Sequence, residues 1–344
     1  LLRIVMGVWD YIKNSGDKPT SANWGLDFVG MIPGKRESRR IMGDHILTQR
    51  DLTDASVRFD DAVCMGGWPL DDHPPSGFDR SNEQPGIQIH PDQPYNIPLR
   101  ALYSRNIRNL MMAGRNISAS HVAFSSTRVM STCAVMGQAA GTAASLCVSA
   151  GLTPGQFAQD KARIAELQQI LLRDDQTIVG ARNTDSKDLA RQAAVSASGE
   201  LKGAEAKHVL DGCVRDLPDQ TEHVWAAKMP EGGAWIELTW PKPQKLRHVQ
   251  ITFDTGFQRL LRLTAQASYS KKIIRGPQPE TVRDYELLYT DAAGTSHSLA
   301  KATGNYQRLT RHEFMPVEAK SLRLRVTATN GADTARVYEI RCYA

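Results

Sequence analysis

The stretch that decides the fold of the first half of the chain is residues 110–151, LMMAGRNISASHVAFSSTRVMSTCAVMGQAAGTAASLCVSAG. Its apolar start at residues 110–113 predicts a short buried strand. Residues 115–126 are rich in Ser, Asn and His and predict a loop. Residues 127–150 contain no Pro and one charge, so they predict a long helix. A strand, a polar loop and a helix N-terminus together present backbone N–H groups and a positive dipole end to an anionic or electron-rich ligand.

The predicted helix begins at Thr127, with Ser125 or Ser126 as its N-cap, and one of its faces carries small residues. Two glycines on that face, each costing about 1 kcal/mol relative to Ala, indicate that a backbone or a flat ligand packs closely there. Two other interpretations stay open: a plain buried core helix, and a transmembrane helix with a GxxxG motif, although its Ser, Thr and Gln side chains suit lipid poorly. The face consists of Ala134, Gly137, Gly141, Ala144 and Val148.

Residues 113–144, AGRNISASHVAFSSTRVMSTCAVMGQAAGTAA, resemble the C-terminal flavin-contacting segment of a bacterial family of FAD-dependent oxidoreductases, sometimes labelled xanthan-lyase-like. The resemblance implies an α/β domain with FAD as cofactor. In related flavoproteins this segment closes over the isoalloxazine, and the helix N-terminus points at the pyrimidine edge, where reduced flavin carries negative charge. The cofactor-binding residues that it implies are Gly114, Arg115, Ser118, Ser120, Ser126, Thr127 and Arg128.

Two residues of this segment are candidates for a more direct role. His121 lies in the loop that should face the flavin, and its imidazole can take a hydroxyl proton during alcohol oxidation. A histidine that hydrogen-bonds the loop backbone is the alternative. Arg128 could balance an anionic flavin or substrate, or serve as a capping or surface residue; a cation at a helix N-terminus opposes the dipole and needs a partner.

The chain contains no GxGxxG motif that opens a strand–helix unit. In the resembled family that motif binds the ADP half of FAD. We therefore expect the chain to be the C-terminal portion of a longer flavoenzyme, which by itself binds FAD weakly or not at all and is inactive. Residues 1–12 predict a helix.

A cluster of cations follows a Pro-Gly turn in PGKRESRRIMGDH, residues 33–45. Such a run is often a solvated face. Guanidinium groups also present paired donors to carboxylates, phosphates and sugar hydroxyls. The resembled family carries a similar run near its active site, which implies that Arg36, Arg39 and Arg40 are catalytic candidates.

The Pro-rich residues 60–92 predict a long lid or binding loop. Asp71, Asp72 and His73 within it could bind a metal, but three adjacent residues seldom converge on one ion, so a polar turn is favoured and we predict no metal site. The following segment, residues 95–103, resembles the family as well and makes Arg100 a secondary candidate.

The helix should end at Gly151, and Thr153 with Pro154 should start the next one. An apolar stripe predicts that this second helix is amphipathic. The polar residues that follow it predict a linker at 176–190. We expect residues 1–175 to form the C-terminal portion of the oxidoreductase domain. The stripe consists of Phe157, Ile164, Leu167 and Leu171.

Residues 191–344 change to short alternating runs separated by Gly, Pro, Asp and Asn, which predicts an all-β jelly-roll sandwich. Residues 193–240, with AKHVLDG and the WIELTW run, resemble discoidin-like or galactose-binding-like modules. The resemblance implies a carbohydrate-binding role and, in some modules, a structural calcium near the Asp-Gly turn; for Asp211 a turn residue is the default. The predicted strands are 234–240, 248–254, 284–290, 321–327 and 336–343. The candidates for a ligand face are Phe257, Tyr269, Lys271, Lys272 and Arg275.

Composition narrows the function classes. Of 344 residues, 41% are apolar and 23% charged, as in an ordinary globular protein. The net charge of +5 comes entirely from residues 191–344 and is too diffuse for nucleic-acid binding. The five cysteines have no metal-binding spacing. Only the kind of module at the C-terminus suggests a secreted or periplasmic location for the protein.

Three hypotheses follow. The chain is part of an FAD-dependent oxidoreductase acting on a hydroxylated, sugar-derived small molecule or carbohydrate; or it is a binding module with a vestigial flavin half; or the β-domain is only an interaction or dimerisation element. The sequence leaves the oligomeric state open.

Overall fold

The first 40 residues form a small unit of their own. The computed structural model describes residues 1–32, 34, 37–73, 76–218, 220–259 and 266–344, and it divides into Leu1–Arg40 and Ile41–Ala344. Helix α1 (Leu2–Asn14) confirms the predicted N-terminal helix, and none of its residues is buried. Lys13 Nζ donates to the Ala22 carbonyl at 2.6 Å and holds the following turn against the helix end.

The first part of the larger unit is mainly helical, with two small antiparallel sheets. In order, the elements are α2 (Gln49–Thr53), β1 (Ala62–Gly66), β2 (Leu70–Asp72), β3 (Ile87–Ile89), β4 (Tyr95–Pro98), α3 (His121–Thr127), α4 (Met130–Ala150), α5 (Pro154–Gln159) and α6 (Lys161–Arg173). In the sheets, β1 pairs with β4 and β2 pairs with β3. Helix α4 packs on β1, α5 and α6 around one hydrophobic core.

Two strand and loop predictions were wrong. Residues 110–113 are extended but not a strand: a single bridge joins Met111 to Tyr103, because the chain turns back at once on the residues that precede it. Residues 60–92 are not only a loop, since β1, β2 and β3 lie within them. The apolar residues Ala62, Val63 and Cys64 give β1 its place in the core.

The long helix is divided, and its predicted start was wrong. Helix α3 begins six residues earlier than predicted, with Ser120 as N-cap accepting from the Ala123 N–H at 3.2 Å. Its last residue is Thr127, with Arg128 as the C-cap. Helix α4 begins after Val129, whose backbone is extended. Gly151 ends α4 in the left-handed conformation at φ 65°, as predicted.

Thr153 caps α5 with Pro154 at its first position, as predicted, and a reciprocal bond with Gln156 completes a capping box. The apolar stripe is buried as expected, but it spans two helices. Asp160 accepts from the backbone N–H groups of Ala162 and Arg163 and so starts α6.

The small-residue face of α4 is exposed. The buried face of the helix is the opposite one, which includes Met136, Ala139 and Ala143. A Cβ at Gly137 or Gly141 would meet no atom within 4 Å among the described residues. By length and composition α4 could cross a bilayer, a test that core helices of soluble proteins also pass.

Residues from 194 onward form an antiparallel all-β sandwich. The elements are β5 (Ala194–Ala197), β6 (Trp225–Lys228), β7 (Ala234–Phe253), α7 (Ala267–Ser270), β8 (Val282–Thr290), β9 (Ser296–Ala302), β10 (Leu309–Thr329) and β11 (Thr334–Tyr343). The strand order is β6-β11-β7-β10-β8-β9, and β5 pairs with β7. The predicted strands are confirmed, but the predicted strands 234–240 and 248–254 are two halves of one strand, β7. One half lies between β5 and β10, and the other between β11 and β10.

A buried polar network connects the end of α6 to β11. Arg341 Nε donates to Glu339 at 2.6 Å, and its Nη2 donates to the Leu172 carbonyl at 3.1 Å. Asn183 and Asp188, in the segment between the two folds, bond to Glu339 and to the Cys342 N–H respectively. Burial raises the pKa of the Glu339 carboxyl to about 7, although Arg341 and Asn183 lower it.

Arg341→Met should lower the free energy of unfolding by about 3–5 kcal/mol, because Glu339 is then left buried without its cation. The loss should shrink as pH falls toward about 7, because without Arg341 the pKa of the buried Glu339 carboxyl rises further and the variant takes up this proton at a higher pH than the wild type; below about 7 the carboxyl is protonated in both and the loss should level off. Urea unfolding on both sides of that pH measures the effect. The double variant Glu339→Gln/Arg341→Met is the control, and a penalty equal to the sum of the two single variants would show that the pair does not interact.

Gly137→Ala should raise the stability by about 0.5–1 kcal/mol, because the new methyl group meets open space in a helix interior. Gly43→Ala is the matched opposite: its Cβ would lie 2.4 Å from the Arg100 carbonyl oxygen, so it should destabilise the fold by roughly 1–3 kcal/mol. Thermal unfolding measures both. A loss of stability in Gly137→Ala would mean that the small-residue face is packed in the protein.

Candidate functional site

Strand β2 and helix α3 bring two acid–base pairs together on one side of the helical core. Asp72 lies 2.9 Å from His121 at the start of α3, and Asp71 lies 2.9 Å from Arg128 at its end. Consecutive residues of a strand point to opposite sides, so the two carboxylates reach the two ends of the short helix separately. The strand is thus joined to the helix by one side-chain pair at each end of the helix.

His121 is the first residue of α3, and 53% of its side chain is exposed. Its Nε2 contacts Oδ1 of Asp72. A carboxylate that bonds one ring nitrogen orients an imidazole, which is the arrangement of a general base. The side chain therefore does more than bond to its own loop, since its partner comes from β2.

Arg128 has the partner that its position requires. Its Nη2 donates to the Asp71 carboxylate at 2.9 Å and to the Asp71 carbonyl at 3.2 Å, and 14% of its side chain is exposed. Burial raises the pKa of Asp71, but Gln88, His73 and Arg128 together outweigh burial and hold it below its usual value. Arg128 is therefore the residue at which α3 ends, and the long helix does not start there.

The loop before α3 combines a left-handed turn with a buried hydroxyl. Gly114 has φ 90°, which favours glycine, and Arg115 next to it is exposed. Ser118 is 2% exposed, its backbone bonds to Ala101 and Leu47, and its Oγ has no hydrogen-bond partner among the described residues. A buried hydroxyl without a partner is available to a ligand that reaches it.

The three remaining cofactor candidates differ in what their hydroxyls do. Ser120 is used as the cap of α3. Ser126 is buried, and its Oγ bonds to the Tyr95 hydroxyl and to the Trp68 carbonyl, both at 2.5 Å. Thr127 is fully buried, and its Oγ1 is the second hydroxyl of this segment without a partner among the described residues.

Helix α4 begins in a way that suits an electron-rich ligand. Val129 at its N-cap supplies no side-chain cap, and Met130 is 84% exposed. The first backbone N–H groups of a long helix that lacks a cap are accessible donors at the positive end of the dipole. The hydroxyls of Ser118 and Thr127 are the other polar groups of this segment without a partner among the described residues.

The arginine candidates are not brought to this site by the described contacts. Arg36 lies outside the described residues; Arg39 and Arg40 lie in the N-terminal unit, where Arg40 pairs with Glu37. Arg100 is held by Asp61, which is 4% exposed and accepts from both Nε and Nη2 at 3.0 Å. Asp61 raises the pKa of Arg100, and the pair braces the turn after β4.

The sequence did not identify Asp71 and Asp72 as partners of Arg128 and His121. Both pairs join residues about 50 positions apart, and a single sequence shows no signal for such contacts. The one available signal was the rule that a cation near a helix N-terminus needs an anion.

In the sandwich, two of the predicted ligand-face residues contact side chains of their own domain. Phe257 lies between the guanidinium groups of Arg215 and Arg308, at 4.4 and 4.6 Å from its ring centre. Arg275 donates to Ser270 instead. Phe257 is therefore engaged by cations of its own domain.

Two families match parts of the chain. Residues 1–171 match the family described as FAD dependent oxidoreductase, and residues 188–256 match one described as a domain of unknown function (DUF7402). No curated protein matches the chain.

Solved structures similar to the chain are small carbohydrate-binding modules. The galactose-bound family 32 module of Clostridium perfringens NanJ is 16% identical, with 46% of this chain and 98% of that chain covered and a TM-score of 0.35. The family 32 module of Streptococcus pneumoniae EndoD is 18% identical, with 45% and 98% covered and a TM-score of 0.34. Chitosan-binding module 1 from a chitosanase/glucanase of Paenibacillus sp. IK-5 is 16% identical, with 46% and 98% covered and a TM-score of 0.34.

Proposed function

Since residues 1–171 match the family described as FAD dependent oxidoreductase, we propose that the whole protein oxidises a hydroxylated, sugar-derived substrate by hydride transfer to FAD. The observation that carries this proposal is the His121–Asp72 pair, which lies on the helix directly before the open start of α4. A base and a positive helix end in one segment are what alcohol oxidation beside a flavin requires.

The cofactor roles follow from which groups are already engaged. Gly114, Arg115, Ser118, Thr127 and the first turn of α4 would hold the flavin ring. Ser120, Ser126 and Arg128 would act by fixing α3, because their polar groups are bonded within the protein. Bound FAD supplies the acceptor for a hydride from the alcohol carbon.

His121 takes the proton of the substrate hydroxyl as the hydride leaves the adjacent carbon. The negative charge of Asp72 stabilises the imidazolium that results and keeps the ring oriented. Arg39, Arg40 and Arg36 remain candidates for substrate hydroxyls, as the resemblance implies. We further propose that residues 191–344 bind a carbohydrate and hold the substrate near the oxidoreductase half.

His121→Ala in the full-length protein should lower turnover by roughly 10²–10⁴-fold and leave bound FAD in place, because the imidazole moves a proton and does not hold the cofactor. Asp72→Asn should lower turnover less. Steady-state rates and the flavin absorption of the purified protein measure both effects. His90→Ala, at an exposed histidine, is the control. Unchanged turnover in His121→Ala would remove it from the chemistry.

The alternative is a binding module whose flavin half is vestigial. An absorption spectrum of the full-length protein without flavin, together with retained binding on a glycan array, would favour it.

A glycan array probed with the full chain should retain at least one class of glycan, and the free sugar should compete. The reason is the resemblance of residues 193–240 to galactose-binding-like modules. Heat-unfolded chain is the control. If no glycan is retained, residues 191–344 are better explained as an interaction or dimerisation element.

A further inference from the structure

Three side chains of the sandwich are arranged as ligands of a metal ion. Asp211, Cys213 and His223 offer one ligand atom each, and these atoms lie within 4.8 Å of one another. It is the one such group of His, Cys, Asp and Glu among the described residues. We propose that this trio binds a zinc-type divalent cation.

The donor set selects the metal. A carboxylate oxygen, an imidazole nitrogen and a thiolate sulfur together suit Zn²⁺ and its soft or borderline neighbours. Calcium takes six to eight oxygen ligands and does not use thiolate or imidazole. The calcium that the discoidin-like resemblance implied near the Asp-Gly turn is therefore not the ion that these side chains fit.

The turn that carries two of the ligands is fixed by its neighbours. Asp211 Oδ1 accepts from the Cys213 N–H at 2.8 Å, which sets the two side chains on one side of the turn. Gly212 between them has φ 82°, and a Cβ there would lie 2.8 Å from the Asn183 nitrogen. No other residue fits this position without moving the backbone, so the backbone of the turn that carries Asp211 and Cys213 is fixed before an ion arrives.

The third ligand is already in contact with the first. His223 Nδ1 lies 2.6 Å from Asp211 Oδ2, and the His223 side chain is 11% exposed. Zinc bonds of about 2.0–2.3 Å in a tetrahedral site separate ligand atoms by about 3.3–3.8 Å. The two side chains therefore open by about 1 Å as the metal replaces the hydrogen-bonding proton.

A fourth position faces a cleft. All three side chains line a cavity of about 700 Å³, whose lining also includes Leu172 near the end of α6 and Ile178 from the segment that follows it. Three protein ligands with one open position leave room for water or for an oxygen of a bound molecule. Arg182 and Arg215 also line the cleft, so an anionic oxygen would be favoured there.

The test is metal binding by the full chain. Zn²⁺ should bind at one ion per chain by calorimetry, and Co²⁺ should give a thiolate charge-transfer band. Cys213→Ser and His223→Ala should weaken Zn²⁺ by more than about 100-fold, beyond the 10–100-fold typical of outer-shell changes. Cys133→Ser, at a half-buried thiol outside the cluster, should bind as wild type does.

Equal Zn²⁺ affinity in Cys213→Ser, or no binding by the wild type, would overturn the proposal. So would Ca²⁺ binding that is the same in Cys213→Ser and wild type, since that indicates an oxygen-only site. If the variants do not fold, alkylation of the wild type tests the proposal instead. Zn²⁺ should slow the alkylation of Cys213, which is followed by mass spectrometry of the peptide that contains it. An unchanged rate of alkylation would contradict the metal site.

Discussion

The ion pair between Arg128 and Asp71 determines how the segment with α3 and the start of α4 is built. Without a partner, a cation at this point would sit at the positive end of a long helix and destabilise it. With Asp71 beside it, Arg128 instead ends one short helix, and the chain can begin α4 two residues later without a side-chain cap. The break leaves Thr127 buried and places His121 at the start of α3, next to Asp72.

A second set of contacts makes one body of the helical core and the sandwich. The last carbonyls of an α-helix have no partner within the helix. At the end of α6 the sandwich supplies them: Arg341 bonds the Leu172 carbonyl, and Gln250 bonds the Arg173 carbonyl at 2.8 Å. Asp175 beyond the helix pairs with Arg308 at 2.7 Å. A helix end that would be exposed in an isolated domain is thereby satisfied across the junction.

The features that could be predicted from the sequence are those set by neighbours along the chain. Gly151 marks the end of α4, and Thr153 with Pro154 marks the start of α5, because of the backbone conformations that these residues prefer. The alternation of apolar and polar residues locates the strands of the sandwich. The start of α3 was missed because Ser120, Ser125 and Ser126 are equivalent caps by residue type. The choice among them depends on Ser126 being buried against Tyr95, a contact over 31 positions.

The candidate site shows the same division. The segment containing His121 was identifiable, but its partner Asp72 was read as part of a polar turn because nothing nearby in the sequence connects the two. The same holds for Asp211, Cys213 and His223: the Asp-Gly turn was visible, and the fold alone brings the histidine to it.

The junction at the end of α6 also bears on how the two folds move. A module on a flexible tether searches a volume and raises the local concentration of whatever it holds. Here Arg341, Gln250 and Arg308 clamp the sandwich to the helical core, so the two folds are coupled and not merely tethered. A molecule bound to the sandwich would keep a set distance from the helical core.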